Sequence, residues 1–387
     1  MRVRGRSNKF NILAVARYPV GGIRTYLKYV YGQLDPTRFK FTIAATTFPE
    51  TGLLLHDLSD FEVDILESEE EAGNLGLLRC TREALRRFPV DLIHSQGLTA
   101  GLLAIVANWG TRCPHVITHH DVFREGQFFG IRGWFKRRLM AAVLGWADLI
   151  VCVTEDARRN FCDYLPWFHA AKLTVVRHGI DTAAYAGTAD LRAALGGAGR
   201  TDTPFIFGFL GRFMPQKGFD VLIDAVAELT RNGDPARQFQ ILSTSQEDRI
   251  GRYKAEIRRR GLERFFVFSG FTNLVNNLLG KVDCVVMPSR WEAAGLVAME
   301  SLVAGCPLIA SDCIGLREVV RDTPTLLMVS EDPVSLVLQM KRAMASEADL
   351  RAAFRDFTSV ARNRFDVRRT GAAMEEIFLR LAPNDRS

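Results

Sequence analysis

The sequence predicts an α/β protein built from parallel-sheet domains, and three observations lead there. Short apolar runs rich in β-branched residues alternate with segments of helical periodicity, the pattern of parallel strands joined by helices. A strand, a glycine-bearing loop and a helix follow one another twice, once from Phe10 to Gly22 and again from Phe205 to Gly218. The chain has 387 residues, enough for two or three domains that each bury a core.

Phe10–Ala16 is the expected first strand. Arg2, Arg4, Arg6 and Lys9 before it mimic a secretion signal, but the apolar stretch is short and contains Asn11, so a strand is the better reading. Gly21 and Gly22 lie in the following loop, and a helix over 23–34 places Ile23, Tyr26, Leu27 and Val30 on one face. Such a loop is an anion-facing site in many α/β folds, but from the glycine pair alone a tight βα turn is the favoured reading. Strands are expected at 39–46 and 61–66, then a solvated acidic run at 67–71, a helix at 75–88, a strand at 91–95 and a helix at 99–109. The strand from His115 to Asp121 carries three histidines. His115 and His119 share a strand face about 13 Å apart, too far for one metal ion. A strand at 147–154 ends on Thr154, the expected N-cap of the next helix. A strand at 173–181 closes the first domain, and 182–203 reads as a linker with one short helix.

The second domain opens with a strand at 205–210 and the loop Gly211-Arg212-Phe213-Met214-Pro215-Gln216-Lys217-Gly218. It is not a P-loop, because Lys precedes Gly and no Gly-Lys-Ser/Thr follows. The next helix turns Phe219, Leu222, Ile223, Val226 and Leu229 to one side. Strands at 238–244, 265–269, 283–287 and 307–311, helices at 247–260, 295–304, 332–346 and 366–381, and a helix starting at Gly315 complete the expected elements.

Composition bounds the function. The net charge is +6 and the pI near 9.0, a mild basicity suited to an anionic ligand or an anionic membrane surface. No zinc-finger spacing and no base-stacking aromatic strand point to nucleic acid. The seven cysteines are odd in number and lack C-x-x-C spacing, the pattern of reduced thiols in a cytoplasmic protein. No apolar run reaches the ~20 residues needed to span a bilayer.

The chemistry concentrates after the 283–287 strand. Glu300 has Leu296, Val297, Val303 and Ala304 three and four positions away, so a carboxylate sits within an apolar stripe and needs partners. Glu292 lies in the loop before that helix, where the backbone N–H groups near Ala294, Gly295 and Leu296 form an anion site. An internal arginine partner for Glu300 and a dipole-favoured first-turn acid at Glu292 are the ordinary alternatives.

The run Pro288-Ser289-x-x-Glu292, Glu300, Gly305-x-Pro307, Ala310-Ser311-Asp312 and Gly315-x-x-Glu318 resembles the retaining GT-B glycosyltransferases of family four, whose two glutamates are separated by seven intervening residues. The resemblance covers nearly the whole chain. It departs at Ala293-Ala294, where the family has Gly-Phe, at Ser243-Thr244-Ser245, where it has Gly-x-Gly, and at Arg177-His178, where it has Pro-Asn.

The resemblance implies two Rossmann-like domains facing each other across a cleft: 1–185 binding the acceptor, 186–362 binding a nucleotide-sugar, and a final segment 363–387 returning to the first domain. It implies that Arg212 and Lys217 meet the donor diphosphate, that Gly21, Gly22, Ala294, Gly295 and Leu296 approach the donor, and that Phe271 opens the loop holding the base. It further implies that Glu292 binds the sugar hydroxyls, Glu300 the ribose hydroxyls, and that His120, in Thr118-His119-His120-Asp121, faces the sugar and acceptor. Expected catalytic residues are therefore Glu292, His120, Arg212 and Lys217. The reaction is expected to need neither metal nor cofactor, in cell-surface polysaccharide or lipopolysaccharide synthesis on a glycan or lipid-linked acceptor. A GT-B sugar-nucleotide epimerase or a non-catalytic sugar-nucleotide-binding protein are the alternatives. The stretch 128–140 mixes Phe128, Phe129, Trp134 and Phe135 with Arg132, Lys136, Arg137 and Arg138, as suits docking on the inner face of an anionic membrane; a helix whose aromatics face the core has the same composition.

Overall fold

A computed structural model describes residues 9–48, 51–188, 203–231, 237–245, 250–270 and 275–382. The chain divides into two compact units, Met1–Gly179 with Val367–Ser387, and Ile180–Asp366. The sequence reading set these limits at 185/186 and 362/363. The first shift moves Tyr185 into the second unit, which matters for the site.

In chain order the first unit runs β1 (Phe10–Ala16), α1 (Gly22–Tyr31), β2 (Phe39–Thr46), α2 (Thr51–Asp57), β3 (Val63–Ser68), α3 (Gly73–Arg87), β4 (Leu92–Gln96), α4 (Leu98–Ala107), β5 (His115–His119), α5 (Gly130–Leu144), β6 (Leu149–Cys152), α6 (Glu155–Tyr164) and β7 (Leu173–Val175). The second runs β8 (Phe205–Phe209), α7 (Phe219–Thr230), β9 (Phe239–Ser245), α8 (Gly251–Arg259), β10 (Phe266–Gly270), α9 (Val275–Leu279), β11 (Cys284–Met287), α10 (Leu296–Val303), β12 (Leu308–Ser311), α11 (Leu316–Val319), β13 (Leu326–Met328), α12 (Pro333–Ala345) and α13 (Glu347–Arg364). The helix α14 (Val367–Leu381) belongs to the first unit.

Both sheets are parallel, in the orders β3-β2-β1-β4-β5-β6-β7 and β10-β9-β8-β11-β12-β13. Strand alternation divides the first core between the sheet faces. Ile12 and Ala14 pack with Tyr26, Leu27 and Val30 of α1 and with Met374, Ile377 and Phe378 of α14. Leu13 and Val15 face Leu77, Ala84, Ala100 and Ala104 of α3 and α4. The second core is built around phenylalanines, among them Phe205, Phe207, Phe219 and Phe239.

An aspartate just before a strand closes the neighbouring strand's open end three times. Asp91 accepts from Asn11 N at 2.7 Å, Asp148 from His115 N at 2.8 Å, and Asp283 from Ile206 N at 2.7 Å. Each carboxylate satisfies a backbone donor that the ladder leaves unpaired. Thr154 caps α6 as its sequence position predicts, accepting from Ala157 N at 3.1 Å.

The topology fixes where a ligand would bind. In each sheet the strand order reverses between the first and fourth strands, and the crevice outside their carboxyl ends is the ligand position of open α/β sheets. In the second unit the loops leaving β8 and β11 meet there. In the first, the loop after β1 and the ends of β4 and β5 meet.

Candidate active site

In the second unit the loops 211–218 and 288–295 are laced together. Arg290 N donates to Gln216 O at 2.8 Å, and Gln216 Nε2 donates to Trp291 O at 3.0 Å. The Arg290 guanidinium grips Asp220, at the start of α7, through two parallel bonds of 2.9 and 2.8 Å, and also donates to Glu331 at 2.8 Å. Those carboxylates hold its pKa above the usual arginine value. Gly218 has φ 66°, and a Cβ there would stand 1.9 Å from the Pro288 carbonyl oxygen. Gly315, at φ 76°, is pressed on the Glu292 carbonyl, 2.2 Å from where a Cβ would be. The glycines of the Lys-Gly and Gly-x-x-Glu motifs thus allow two backbones to close on the 288–293 loop.

This frame buries Glu292, which is 5% exposed. Lys217 Nζ donates to its Oε1 at 2.6 Å, and Ser289 Oγ donates to the same oxygen at 2.9 Å. The contact uses one of three ammonium donors. Helix α10 begins directly after this loop with Gly295 as N-cap at φ 73°, and no side chain caps its first turn. Arg212 is exposed on the same loop as Lys217.

Glu300, inside α10, is also 5% exposed. Its partner is not an arginine: the Tyr185 hydroxyl hydrogen-bonds the carboxyl, and Lys217 is near enough to favour its charge. Burial still wins and raises its pKa to about 7. Tyr185 ends the short turn Thr182–Tyr185, which sequence reasoning assigned to the other domain; its buried hydroxyl has no sequence signature.

The first unit gathers a second polar group. Gly21, with φ 55°, caps α1, and Gly22 starts it; both are exposed. His120 follows β5. Its Nε2 lies 2.8 Å from Gln96 Oε1, so the Gln96 amide orients the ring. Tyr26 contacts both the His120 ring, at 4.6 Å, and the His178 ring, at 4.8 Å, edge to face. Behind them His94 bonds Thr118 Oγ1 at 2.7 Å and the Tyr31 hydroxyl at 2.9 Å. Burial lowers the pKa of His120 and pushes His178 down to about 4, so both rings are neutral at pH 7. Gln96, Tyr26 and His178 were not singled out by sequence. His178 stood out only as a departure from the family pattern. His119, beside His120, is turned into the core against Phe123 and Phe161. Phe271 lies outside the described residues, and the Ser243–Ser245 departure falls at the end of β9.

Comparison with known proteins gives this geometry its context. Residues 20–184 match the family model described as Glycosyltransferase Family 4, and residues 196–359 match Glycosyl transferases group 1. A D-inositol 3-phosphate glycosyltransferase of Jonesia denitrificans is 30% identical over 73% of this chain and 70% of its own length. The chain is a family-four glycosyltransferase. A second relative of that name from Nocardia farcinica is 28% identical over 64% of this glycosyltransferase and 57% of the relative. Among solved structures, the Anabaena protein HepE, crystallised with UDP-glucose, superposes with a TM-score of 0.78 at 21% identity, covering 96% of this chain and 99% of that one. A sucrose-phosphate synthase from Thermosynechococcus elongatus gives 0.77 at 19% identity, with the same coverage. These likenesses place the glycosyltransferase in the GT-B fold. The sheet orders above are its two Rossmann-like domains.

Proposed function

We propose that this glycosyltransferase moves a hexosyl group from a nucleoside diphosphate sugar to a glycan or lipid-linked glycan, with retention of configuration and without a metal. The carrying observation is the Lys217–Glu292–Ser289 cluster directly before the uncapped start of α10. The departing group is a nucleoside diphosphate, on which negative charge grows as the glycosidic bond breaks. Lys217, Arg212 and the N-terminal amides of α10 supply fixed positive charge for it, which is electrostatic stabilisation of the transition state. Glu292, held by Lys217 and Ser289, accepts from sugar hydroxyls, and Glu300 from the ribose hydroxyls. In the first unit, His120 presents a neutral ring in the polar group with Tyr26 and His178, suited to hydrogen-bonding a substrate hydroxyl. Retention follows from the family resemblance. The UDP-glucose bound by HepE makes UDP-sugars the first donors to test, and the relatives' names make D-inositol 3-phosphate the first soluble acceptor.

The test is calorimetric titration with UDP-, GDP- and ADP-sugars, for wild type and Lys217→Met, followed by product analysis with and without EDTA. One nucleotide class should bind wild type and lose affinity in the variant, and transfer should survive chelation. Equal binding by both proteins would overturn the diphosphate role of Lys217, and transfer abolished by EDTA would overturn metal independence.

A further inference from the structure

Helix α5 is not a core helix. Ile131, Phe135, Leu139 and Ala142, spaced four, four and three apart, lie along one face and all are exposed. Trp146 continues the stripe just past the helix, 68% exposed and stacked at 5.2 Å on Trp109, which is 71% exposed after α4. At the other end Phe129 is 90% exposed. Trp134 and Trp167 stand 6.1 Å apart, and the Arg138 guanidinium lies 5.0 Å and 4.3 Å from their rings. Phe135, Arg138, Leu139 and Trp167 line a shallow hollow of about 480 Å³. Four of the five tryptophans thus lie along α5 or beside it.

Within the segment that forms this face the charge has one sign, with Glu125 and Asp163 on its flank. No acidic residue occurs from Gly126 to Ala147, while Arg132, Lys136, Arg137 and Arg138 do. Arg137 is committed to the Tyr164 and Asp163 carbonyls. Arg132, Lys136 and Arg138 are exposed. Among the described residues no helix is long and apolar enough to cross a membrane.

We propose that the α5 face, with Trp109, Trp146 and Trp167, is a docking surface for an anionic lipid bilayer. Indole rings favour the boundary between headgroups and acyl chains, where an apolar body and a polar N–H are both accommodated. Interleaved cations meet lipid phosphates there, and the helix lies in the plane of the interface. A protein partner's apolar patch would leave these cations unmatched, whereas an anionic bilayer matches them whatever their pattern. The inference deepens the proposed function by placing a lipid-linked acceptor at the surface on which the enzyme rests.

Vesicle co-sedimentation tests it by binding alone, so its failure and that of the proposed reaction are separable. Full-length protein should pellet with vesicles of phosphatidylcholine and phosphatidylglycerol, stay in solution with phosphatidylcholine alone, and be released by salt. Phe135→Ser/Leu139→Ser/Trp146→Ser and Lys136→Glu/Arg138→Glu should each weaken partition by about tenfold or more, since one basic side chain near such a surface contributes severalfold. Brominated lipid should quench the tryptophan fluorescence of wild type, a readout that needs no variant. Wild type left in solution with anionic vesicles, or unquenched, overturns the proposal. So does a wild-type dimer that the triple variant splits, which would make the face a subunit contact.

Discussion

Two carboxylates eight positions apart meet opposite fates in the second unit. Glu292 has an ammonium and a hydroxyl on one oxygen, whereas Glu300 has a tyrosine hydroxyl and apolar neighbours. Because the pKa of Glu300 is raised from 4.5 to about 7, its native state binds a proton more tightly than the unfolded chain. Its contribution to stability is therefore complete below pH 4.5 and is lost as pH rises through about 7. Chemical denaturation of Glu300→Gln should show that part of the pH dependence flattened, by at most about 3 kcal/mol. If ribose hydroxyls donate to Glu300, they favour its charged form. Donor binding near pH 7 should then release a proton, seen as a buffer-dependent calorimetric enthalpy. Lys217→Met should lower kcat/KM by about 10²- to 10³-fold, as expected when one transition-state charge partner is removed. The glutamates, Lys217 and Arg212 were legible because spacing and motif mark them. Ser289's bond, Tyr185 and Gln96 were not, since each acts through a partner that only the fold supplies.

Among the elements, the site depends on loops more than on helices. Gly218 and Gly315 combine a positive φ with a backbone carbonyl where a side chain would go. Gly218→Ala and Gly315→Ala should each destabilise the second unit by more than about 2 kcal/mol and abolish donor binding, readable by denaturant unfolding and titration. Helix α1, helix α7 and the central strands were visible in the sequence because their apolar faces are complete. Helix α13 was missed: its buried residues are only Glu347, Phe354 and Ala361, too few for a stripe. Strand β13, three residues long, carries almost no pattern. For α5 the composition was visible but the direction was not, because aromatics suit a core face and an interface equally. The exposure of Phe129, Phe135 and Trp146 rules out the core face.

The two units should differ as whole bodies in their response to acid, because their histidines are unevenly divided. All seven histidines lie between His56 and His178, in the first unit. Burial lowers His94 and His115 to about 3 and His119 and His178 to about 4. A histidine with a lowered native pKa contributes stability above its unfolded value of 6.5, and that stability is lost as pH falls towards the native value. The first unit should therefore open before the second between about pH 6 and pH 4. Hydrogen exchange resolved by segment checks this, with protection lost first in β4 and β5. The division into two parallel-sheet bodies was legible from repeated strand–loop–helix units. Its exact limits were not, because Ile180 and Asp366 join by one isolated bridge rather than by a strand with a pattern.

That a helix from beyond the second unit completes the first has a consequence for synthesis. Met374, Ile377 and Phe378 seal a sheet face made from residues translated far earlier. At about 5–20 residues per second, the intervening unit occupies the ribosome for roughly ten seconds or more. For that time the nascent chain carries an unsealed apolar face, a natural target for a chaperone, while the later-made unit can finish folding first. A polypeptide stopped after Asp366 should stay in that condition and be captured by ribosome-associated holdases, whereas the full chain is released.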